Sequence, residues 1–196
     1  DTDNDSCTLA QAFPTFRLSG DPATSNKLYF EFCVAMNSIL TNTQGWFGGL
    51  AETELWTLAT GVPFNGGDAI TNSASAIGFR KGEDALGVVD TAVSDRATSF
   101  TNIGDDEGLL SAANTFAKFG MLYDPYTLDS SRMVRFFQNN VELNTAVSKA
   151  TLQAYTNLDA NALGPIFSTV TDSAGTATLS YLKWLWCAQL PPGVQP

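Results

Sequence analysis

Two glutamates in the first third of the chain have the spacing that comes closest to catalytic chemistry. Glu52 and Glu54 lie two positions apart, so they would share one face of a strand, and Trp56 follows in the same alternation. Paired carboxylates hydrolyse glycosidic bonds, one as general acid and the other as base or nucleophile. The spacing of acids that this reaction requires is missing around them, so the sequence favours a chain without catalytic residues.

The absence of histidine narrows the chemistry further. Without it, the chain cannot build a Ser-His-Asp or Cys-His nucleophile system or a His-ligated metal site. The sequence also contains no Cys-x-x-Cys motif, no phosphate-binding Gly-Lys loop and no Gly-x-Ser-x-Gly motif. We therefore predict no cofactor and no metal.

One acidic stretch imitates a calcium loop. Asp1, Asp3 and Asp5 alternate as in an EF-hand, but the positions that require Gly and Glu hold Ser6 and Ala12. We interpret this stretch as a solvated acidic terminus.

The three cysteines are Cys7, Cys33 and Cys187. An odd number in a chain of 196 residues does not form a disulfide framework. Cys33 and Cys187 lie inside predicted strands, where a thiol behaves as a small apolar group. The sequence favours three reduced cysteines, with a Cys33–Cys187 bridge as the alternative.

The elements that must position these residues are short strands separated by turns. Period-2 alternation and turn residues predict strands over 15–20, 27–37, 45–52, 76–80, 85–91, 98–103, 162–170 and 176–189. Gly164-Pro165 predicts that its strand is an edge or contains a bulge. The segment 105–108 is predicted as an acidic turn, and 146–158 as a loop with one helical turn.

The stretch 115–143 predicts a β-hairpin at the centre of the fold. Phe119, Met121 and Tyr123 alternate on one side, and Phe136 continues this pattern on the returning strand. Asn139-Asn140 tolerates the positive φ of a primed turn. With no convincing long helix, the pattern indicates an all-β sandwich.

Five motifs along 16–190 carry a family resemblance: FRLSGD with KLYFEF, GWFGGLAE, IGF, KFGMLYDP, and ATLSYLKWLWCAQL. In this order they resemble concanavalin A-like lectin/glucanase jelly-roll domains of the kind found in head decoration (cement) proteins of tailed bacteriophages. The chain departs from that pattern with Lys183 for an acid, Trp186 for a basic residue and Asn140 for Gly. The resemblance implies a jelly-roll β-sandwich of two antiparallel sheets. We expect an N-terminal arm at 1–14, the sandwich at 15–190 and a C-terminal tail at 191–196.

The resemblance also implies a function. Glucanases of the superfamily carry Glu-x-Asp-x-x-Glu on one strand, and this string is absent, so we expect no enzyme activity. The implied role is a structural protein that decorates or cements a phage capsid. Its partner would be the major capsid protein, and it would sit on the virion surface as a homotrimer after assembly in the host cytoplasm. The alternative is a carbohydrate-binding, lectin-like module.

Aromatic residues are the candidate contacts for a partner or a glycan, and they are Trp56, Phe64, Trp184 and Trp186. Leu182, Trp184 and Trp186 are predicted to share one face of the last strand, which either fills the core or forms an interface.

A lectin calcium site would need neighbouring acids and amides. Asp68 and Asn72 lie in a loop, and 105–107 is acidic, but no ligand pattern connects them, so we interpret them as solvated.

Charge excludes other partners. The chain has 20 acidic and 10 basic residues and a formal net charge of −10. This balance opposes nucleic-acid binding, which needs clustered Lys and Arg.

No apolar run approaches the roughly 20 residues that span a bilayer, and we expect no membrane segment.

Overall fold

The structure is a computed structural model that describes residues 6–11, 15–21, 25–39, 45–52, 64–65, 69–70, 74–82, 87–97, 100–170 and 179–189. These residues form strands and two short helices. The strands are β1 Ser6–Ala10, β2 Leu28–Met36, β3 Gly45–Ala51, β4 Phe64–Asn65, β5 Ala69–Ile70, β6 Ala76–Lys81, β7 Val88–Ser94, β8 Thr101–Leu109, β9 Ala117–Tyr123, β10 Val134–Gln138, β11 Val141–Val147, β12 Gly164–Val170 and β13 Ser180–Gln189. The helices are α1 Lys149–Ala154 and α2 Thr156–Ala160.

Two antiparallel sheets pack as a sandwich, which confirms the predicted fold class. The first has six strands in the order β1-β12-β3-β6-β7-β8, and the second has five in the order β11-β10-β9-β2-β13. Strands β4 and β5 form a separate two-stranded hairpin. Among the described residues, neither helix is long and apolar enough to span a membrane.

The core between the sheets is built around aromatic rings. The ring of Phe32 lies 5.6–6.0 Å, centroid to centroid, from those of Trp46, Phe79, Phe119 and Phe167, and all five residues are buried. These residues come from both sheets, so the alternating apolar positions of the sequence interlock the two layers. A second buried cluster, which includes Phe47 and Phe100, lies on the opposite side of the six-stranded sheet.

The central hairpin is confirmed. Strand β9 pairs with β10, and β10 turns into β11 through Asn139 and Asn140. Both asparagines have positive φ, 49° and 69°, as a type I′ turn requires. The Asn139 side chain also accepts a hydrogen bond from the backbone amide of Lys118 at 3.0 Å, so it fixes the turn against β9.

Part of the expected N-terminal arm is instead a strand. Ser6–Ala10 pairs with β12 along its whole length, from Ser6 opposite Val170 to Ala10 opposite Ile166. The described part of 1–14 thus belongs to the six-stranded sheet, and the rest of the arm and the tail 191–196 lie outside the described residues. Because β12 lies between β1 and β3 and pairs with both without a register shift, the prediction that 162–170 is an edge or contains a bulge is wrong.

Three local predictions also need correction. The segment 105–108 lies within β8 rather than in a turn, at a place where the pairing with β7 shifts register. Residues 146–158 contain most of α1 and α2, whose Leu152 and Leu158 are buried. The first predicted strand, 15–20, makes an isolated bridge between Phe16 and Leu163.

Hydrogen bonds of two side chains join the sheets along one side of the sandwich. The Gln138 amide accepts a hydrogen bond from the backbone of Leu109 at 3.1 Å and returns one at 2.5 Å to the same residue's carbonyl oxygen. The backbone of Asn144 also donates to Glu107 at 3.2 Å. These contacts join β8, an edge strand of the six-stranded sheet, to β11, an edge strand of the other sheet, and to its neighbour β10.

Candidate functional site

The outer face of the five-stranded sheet is the candidate site. Strand alternation sends Phe30, Phe32 and Val34 into the core and turns Tyr29, Glu31 and Cys33 outward. On the neighbouring strands, the residues that pair with these outward positions include Lys118 and Gly120 on one side and Trp184 and Trp186 on the other.

A bulge in β13 decides which side its tryptophans face. Leu182 pairs with Val34, and Trp184 pairs with Cys33, so Lys183 is an extra residue. Leu182 therefore packs against the core, whereas Trp184 and Trp186 lie on the outer face. The prediction that Leu182 shares a face with both tryptophans is wrong because it assumed unbroken alternation.

Four aromatic side chains on this face form what we call the aromatic platform: Phe116, Tyr181, Trp184 and Trp186. Their exposed fractions are 45%, 43%, 36% and 52%, respectively. Tyr181 pairs with the outward-facing Ala35, and Phe116 directly precedes β9, in alternation with Lys118. In the described part of the chain, every exposed aromatic side chain belongs to this platform.

A polar network lies beside the platform. The Tyr29 hydroxyl donates to Glu31 Oε2 at 2.5 Å, and Lys118 Nζ lies 3.0 Å from the same oxygen. Burial, together with the hydrogen bond to Glu31 and its negative charge, raises the pKa of Tyr29 well above its usual range. Tyr29 thus stays protonated as a donor, and its ring packs edge-on against Trp186 at 5.5 Å between centroids.

Gly120 provides the space for this network. A Cβ atom at this position would lie 3.1 Å from the Tyr29 hydroxyl oxygen, a tight contact. The missing side chain leaves room for the Tyr29 hydroxyl above β9.

The two carboxylates of this face, those of Glu31 and Glu142, are too far apart to form a hydrolytic pair. Glu31 and Glu142 lie in one register row, Glu142–Phe137–Gly120–Glu31, and are therefore three strand spacings apart. This separation is about 14 Å, which exceeds the roughly 5–9.5 Å between glycosidase carboxyl groups.

Glu52 has a structural role. Its carboxylate is fully buried and accepts hydrogen bonds from Arg96 at 2.6 and 3.2 Å and from the backbone of Ser75 at 2.6 Å. Burial alone would raise the pKa of Glu52, but these hydrogen bonds and the charge of Arg96 hold it below its usual range. Glu54 and Trp56, the other residues of the predicted motif, lie outside the described residues.

Two acidic residues of β8 lie close to a carboxylate of β7, a proximity that the sequence analysis did not predict. Oxygens of Asp90, Asp105 and Asp106 lie within 4.8 Å of one another, a set that could hold a cation. Asp90, however, already pairs with Arg80 at 3.1 Å and accepts hydrogen bonds from Asn102 and from the backbone of Asp106. The cluster is accounted for by these contacts.

The remaining predicted site residues are not brought to this face by the described structure. Phe64 contributes its backbone to β4, opposite Ile70, and nothing is described of its side chain. Asp68 and Asn72, like Asp1, Asp3 and Asp5, lie outside the described residues.

All three cysteines are free thiols. Cys33 faces outward from β2, whereas Cys187 packs against the core from β13. Because they lie on opposite faces of one sheet, the alternative Cys33–Cys187 bridge is wrong. Burial raises the pKa of Cys187 to about 12, so it remains a neutral thiol.

Sequence reasoning missed Phe116, Tyr181 and Tyr29 as parts of the site. Tyr29 could have been found, because the alternation of 27–37 already places it on the face opposite the apolar one. Tyr181 could not, since its side of the sheet depends on the bulge at Lys183.

No protein-family model matches the sequence, and no curated protein does. Solved structures do match. They include the carbohydrate recognition domain of Emp47p (TM-score 0.57, 9% identity, 95% of this chain and 79% of that one). A β-1,3-glucanase from Mycobacterium marinum matches with a TM-score of 0.53 and 9% identity over 92% of this chain and 67% of that one. A family 7 alginate lyase matches with a TM-score of 0.52 and 9% identity over 97% and 74%. At such low identity the likeness shows the fold alone, a concanavalin A-like jelly-roll β-sandwich of two antiparallel sheets.

Proposed function

We propose that this protein is a non-catalytic carbohydrate-binding module that holds a glycan chain on the aromatic platform. The observation that carries the proposal is the placement of Phe116, Tyr181, Trp184 and Trp186 on one face. Exposed aromatic area concentrated in one patch marks a binding surface.

The geometry of β13 suits an extended sugar polymer. Trp184 and Trp186 are two positions apart on the same side of the strand, which separates them by about 7 Å along its axis. Tyr181 continues the row beyond the bulge. Aromatic rings in such a row can stack against the apolar faces of successive pyranose rings, while the Tyr29 hydroxyl oxygen and the Glu31 carboxylate offer acceptors to sugar hydroxyls.

The polar groups beside the rings favour a sugar over a protein partner. Centres of protein interfaces are depleted of Lys and Glu, whereas this face places the Glu31–Lys118 pair next to Trp186 and Trp184. The solved structures lend support, because those of Emp46p and Emp47p are described as carbohydrate recognition domains.

A second candidate is the decoration of a phage capsid, which rests on the ordered sequence motifs over 16–190. In that case Trp184 and Trp186 would contact the major capsid protein, and three copies would gather on the virion. The exposure of both rings is compatible with such an interface.

Affinity electrophoresis through gels that contain soluble polysaccharides tests the proposal. We expect retardation of the native chain and at least a tenfold loss of affinity in Trp184→Ala/Trp186→Ala, since stacking on two rings is removed. Leu9→Ala is the control, because Leu9 is an exposed apolar residue of β1, which belongs to the six-stranded sheet.

Two results would contradict glycan binding. One is retardation that persists unchanged in the double tryptophan variant. The other is the absence of retardation by any polysaccharide together with saturable binding of the native chain to phage capsids, which would favour the second candidate.

A further inference from the structure

The charge of the platform sheet differs from that of the rest of the chain. Overall, acids outnumber bases by 20 to 10. The five strands of the platform sheet nevertheless carry the bases Lys118, Arg135 and Lys183 against the acids Glu31 and Glu142.

The six-stranded sheet shows the opposite balance. Its strands carry Arg80 and Lys81 against Asp90 and the three acids 105–107. The strands of the platform sheet therefore carry a formal charge of +1 (three bases and two acids), against −2 for those of the six-stranded sheet (two bases and four acids).

Lys183 brings a positive charge directly to the platform. As the extra residue of the bulge, it is exposed beside Trp184, and its ammonium lies 5.4 Å from the ring centroid of Phe116. No carboxylate of the described residues lies within ion-pair distance of it. Its charge also acts on Cys33 of the outer face. Burial raises the pKa of the Cys33 thiol, and the positive charge of Lys183 partly offsets this rise.

Lys118 supplies a second cation in the same register row. Trp184 pairs with Cys33, and Cys33 pairs with Lys118. Lys118 Nζ is oriented by Glu31 Oε2 at 3.0 Å and by the side chain of Asn140. The two lysines belong to strands about 10 Å apart. Because the Lys183 ammonium lies at the Phe116 ring, next to the start of β9, both charges lie on the β9 side of a chain that runs along β13.

We propose that the glycan held by this face is acidic, with carboxylate or sulfate groups on its sugar units. Trp184 and Trp186 stack on the rings, and Lys183 and Lys118 pair with the anionic groups. The proposal rests on the glycan-binding function proposed above and specifies the class of ligand for that site.

Matched polymers that differ only in charge test this inference. The native chain is run in affinity gels with polygalacturonate and with highly methyl-esterified galacturonan, which has the same backbone without most of the negative charge. We expect binding to polygalacturonate to be at least fivefold tighter, and to weaken as salt is raised from 0.05 to about 0.5 M. Dextran sulfate and dextran form a second pair, which distinguishes sulfate from carboxylate recognition.

Single-residue variants test whether Lys183 causes the preference for the acidic polymer. Lys183→Gln is expected to weaken binding to the acidic polymer about fivefold and thereby to lower the ratio of acidic to neutral binding. Lys149→Gln removes the same charge from helix α1, outside the platform sheet, and is expected to have no effect.

The outcomes separate this inference from the proposed function. Equal binding of both polymers, with no effect of Lys183→Gln, overturns the acidic ligand but leaves glycan binding intact. If Trp184→Ala/Trp186→Ala still binds the acidic polymer, the acidic-ligand proposal is overturned as well, because the polymer would then be held by non-specific charge attraction and not by the platform. No binding to any polymer contradicts both proposals.

Discussion

A buried carboxylate at Glu52 shows how a residue with catalytic spacing is used for stability. The Arg96 guanidinium is partly exposed, but the Glu52 carboxylate that it holds is fully buried. Removing the arginine leaves a buried negative charge with a single backbone donor from Ser75, and an uncompensated buried charge strongly destabilises a protein.

We expect Arg96→Asn to lower the free energy of unfolding by about 2–3 kcal/mol, less than for a fully buried pair because Arg96 reaches solvent. Asparagine is the appropriate replacement because Arg96 has a φ of 56°, which asparagine tolerates. Urea unfolding measures the change. Arg132→Asn, which breaks an exposed ion pair with Glu142, is the control and is expected to cost less than about 1 kcal/mol. Equal losses in the two variants would contradict this role.

The same pair predicts a dependence on pH. The pKa of Glu52 in the folded chain lies below its usual value, so the unfolded chain binds more protons as the pH falls. The contribution to stability is therefore complete above the usual carboxyl pKa and is lost as the pH falls through the folded value. Unfolding of the native chain and of Glu52→Gln, measured from pH 7 to 3.5, should show a steeper decline for the native chain. Parallel curves would exclude Glu52 as a source of the slope.

At the scale of elements, the β10–β11 turn requires a positive φ at Asn140, and substitutions there test this requirement. Asn140 has a φ of 69°, a conformation that glycine adopts without strain. We expect Asn140→Gly to raise the free energy of unfolding by about 0.5 kcal/mol and Asn140→Ala to lower it by about 1 kcal/mol. Both variants lose the side-chain hydrogen bond from Lys118, so the difference between them reports the backbone alone. An Asn140→Ala variant as stable as Asn140→Gly would refute the assignment.

The elements also show where prediction from sequence ends. Alternation predicted β2 and β9 because each has one apolar face in the core. Strand β3 has no such alternation, since it is buried along its whole length, and it was predicted as a core strand that contains glycine. It failed at Lys183, since a single bulged residue exchanges the faces of everything on one side of it, and nothing in the local pattern marks such a residue. Only one helical turn was predicted where α1 and α2 lie, because each helix is shorter than two turns, too short for a helical period to emerge.

At the scale of the whole molecule, the sandwich depends on one ring that reaches from sheet to sheet. Phe32 of β2 packs on Gly48 of β3 so closely that a Cβ at Gly48 would lie 2.5 Å from the ring. The small residue on one sheet thus accommodates the large residue on the other.

We expect Phe32→Leu and Gly48→Ala each to destabilise the protein by about 2–4 kcal/mol, through a cavity and an overpacked contact respectively. Because they alter the same contact, the double variant should cost at least 1 kcal/mol less than the sum of the single losses. Thermal and urea unfolding of the four proteins give this coupling. Strict additivity would mean that the two residues do not share the contact.

The order of the strands has a further consequence for how the molecule is made. Trp184 and Trp186 belong to β13, which pairs only with β2 in the described sheet, near the other end of the sequence. A chain emerging from the ribosome can form the β9–β10–β11 meander from neighbouring segments, but it cannot complete the face that carries these rings until β13 has been synthesised. A chain that lacks β13 would therefore have a partial sandwich without a ligand platform, and binding would report that the sandwich is complete.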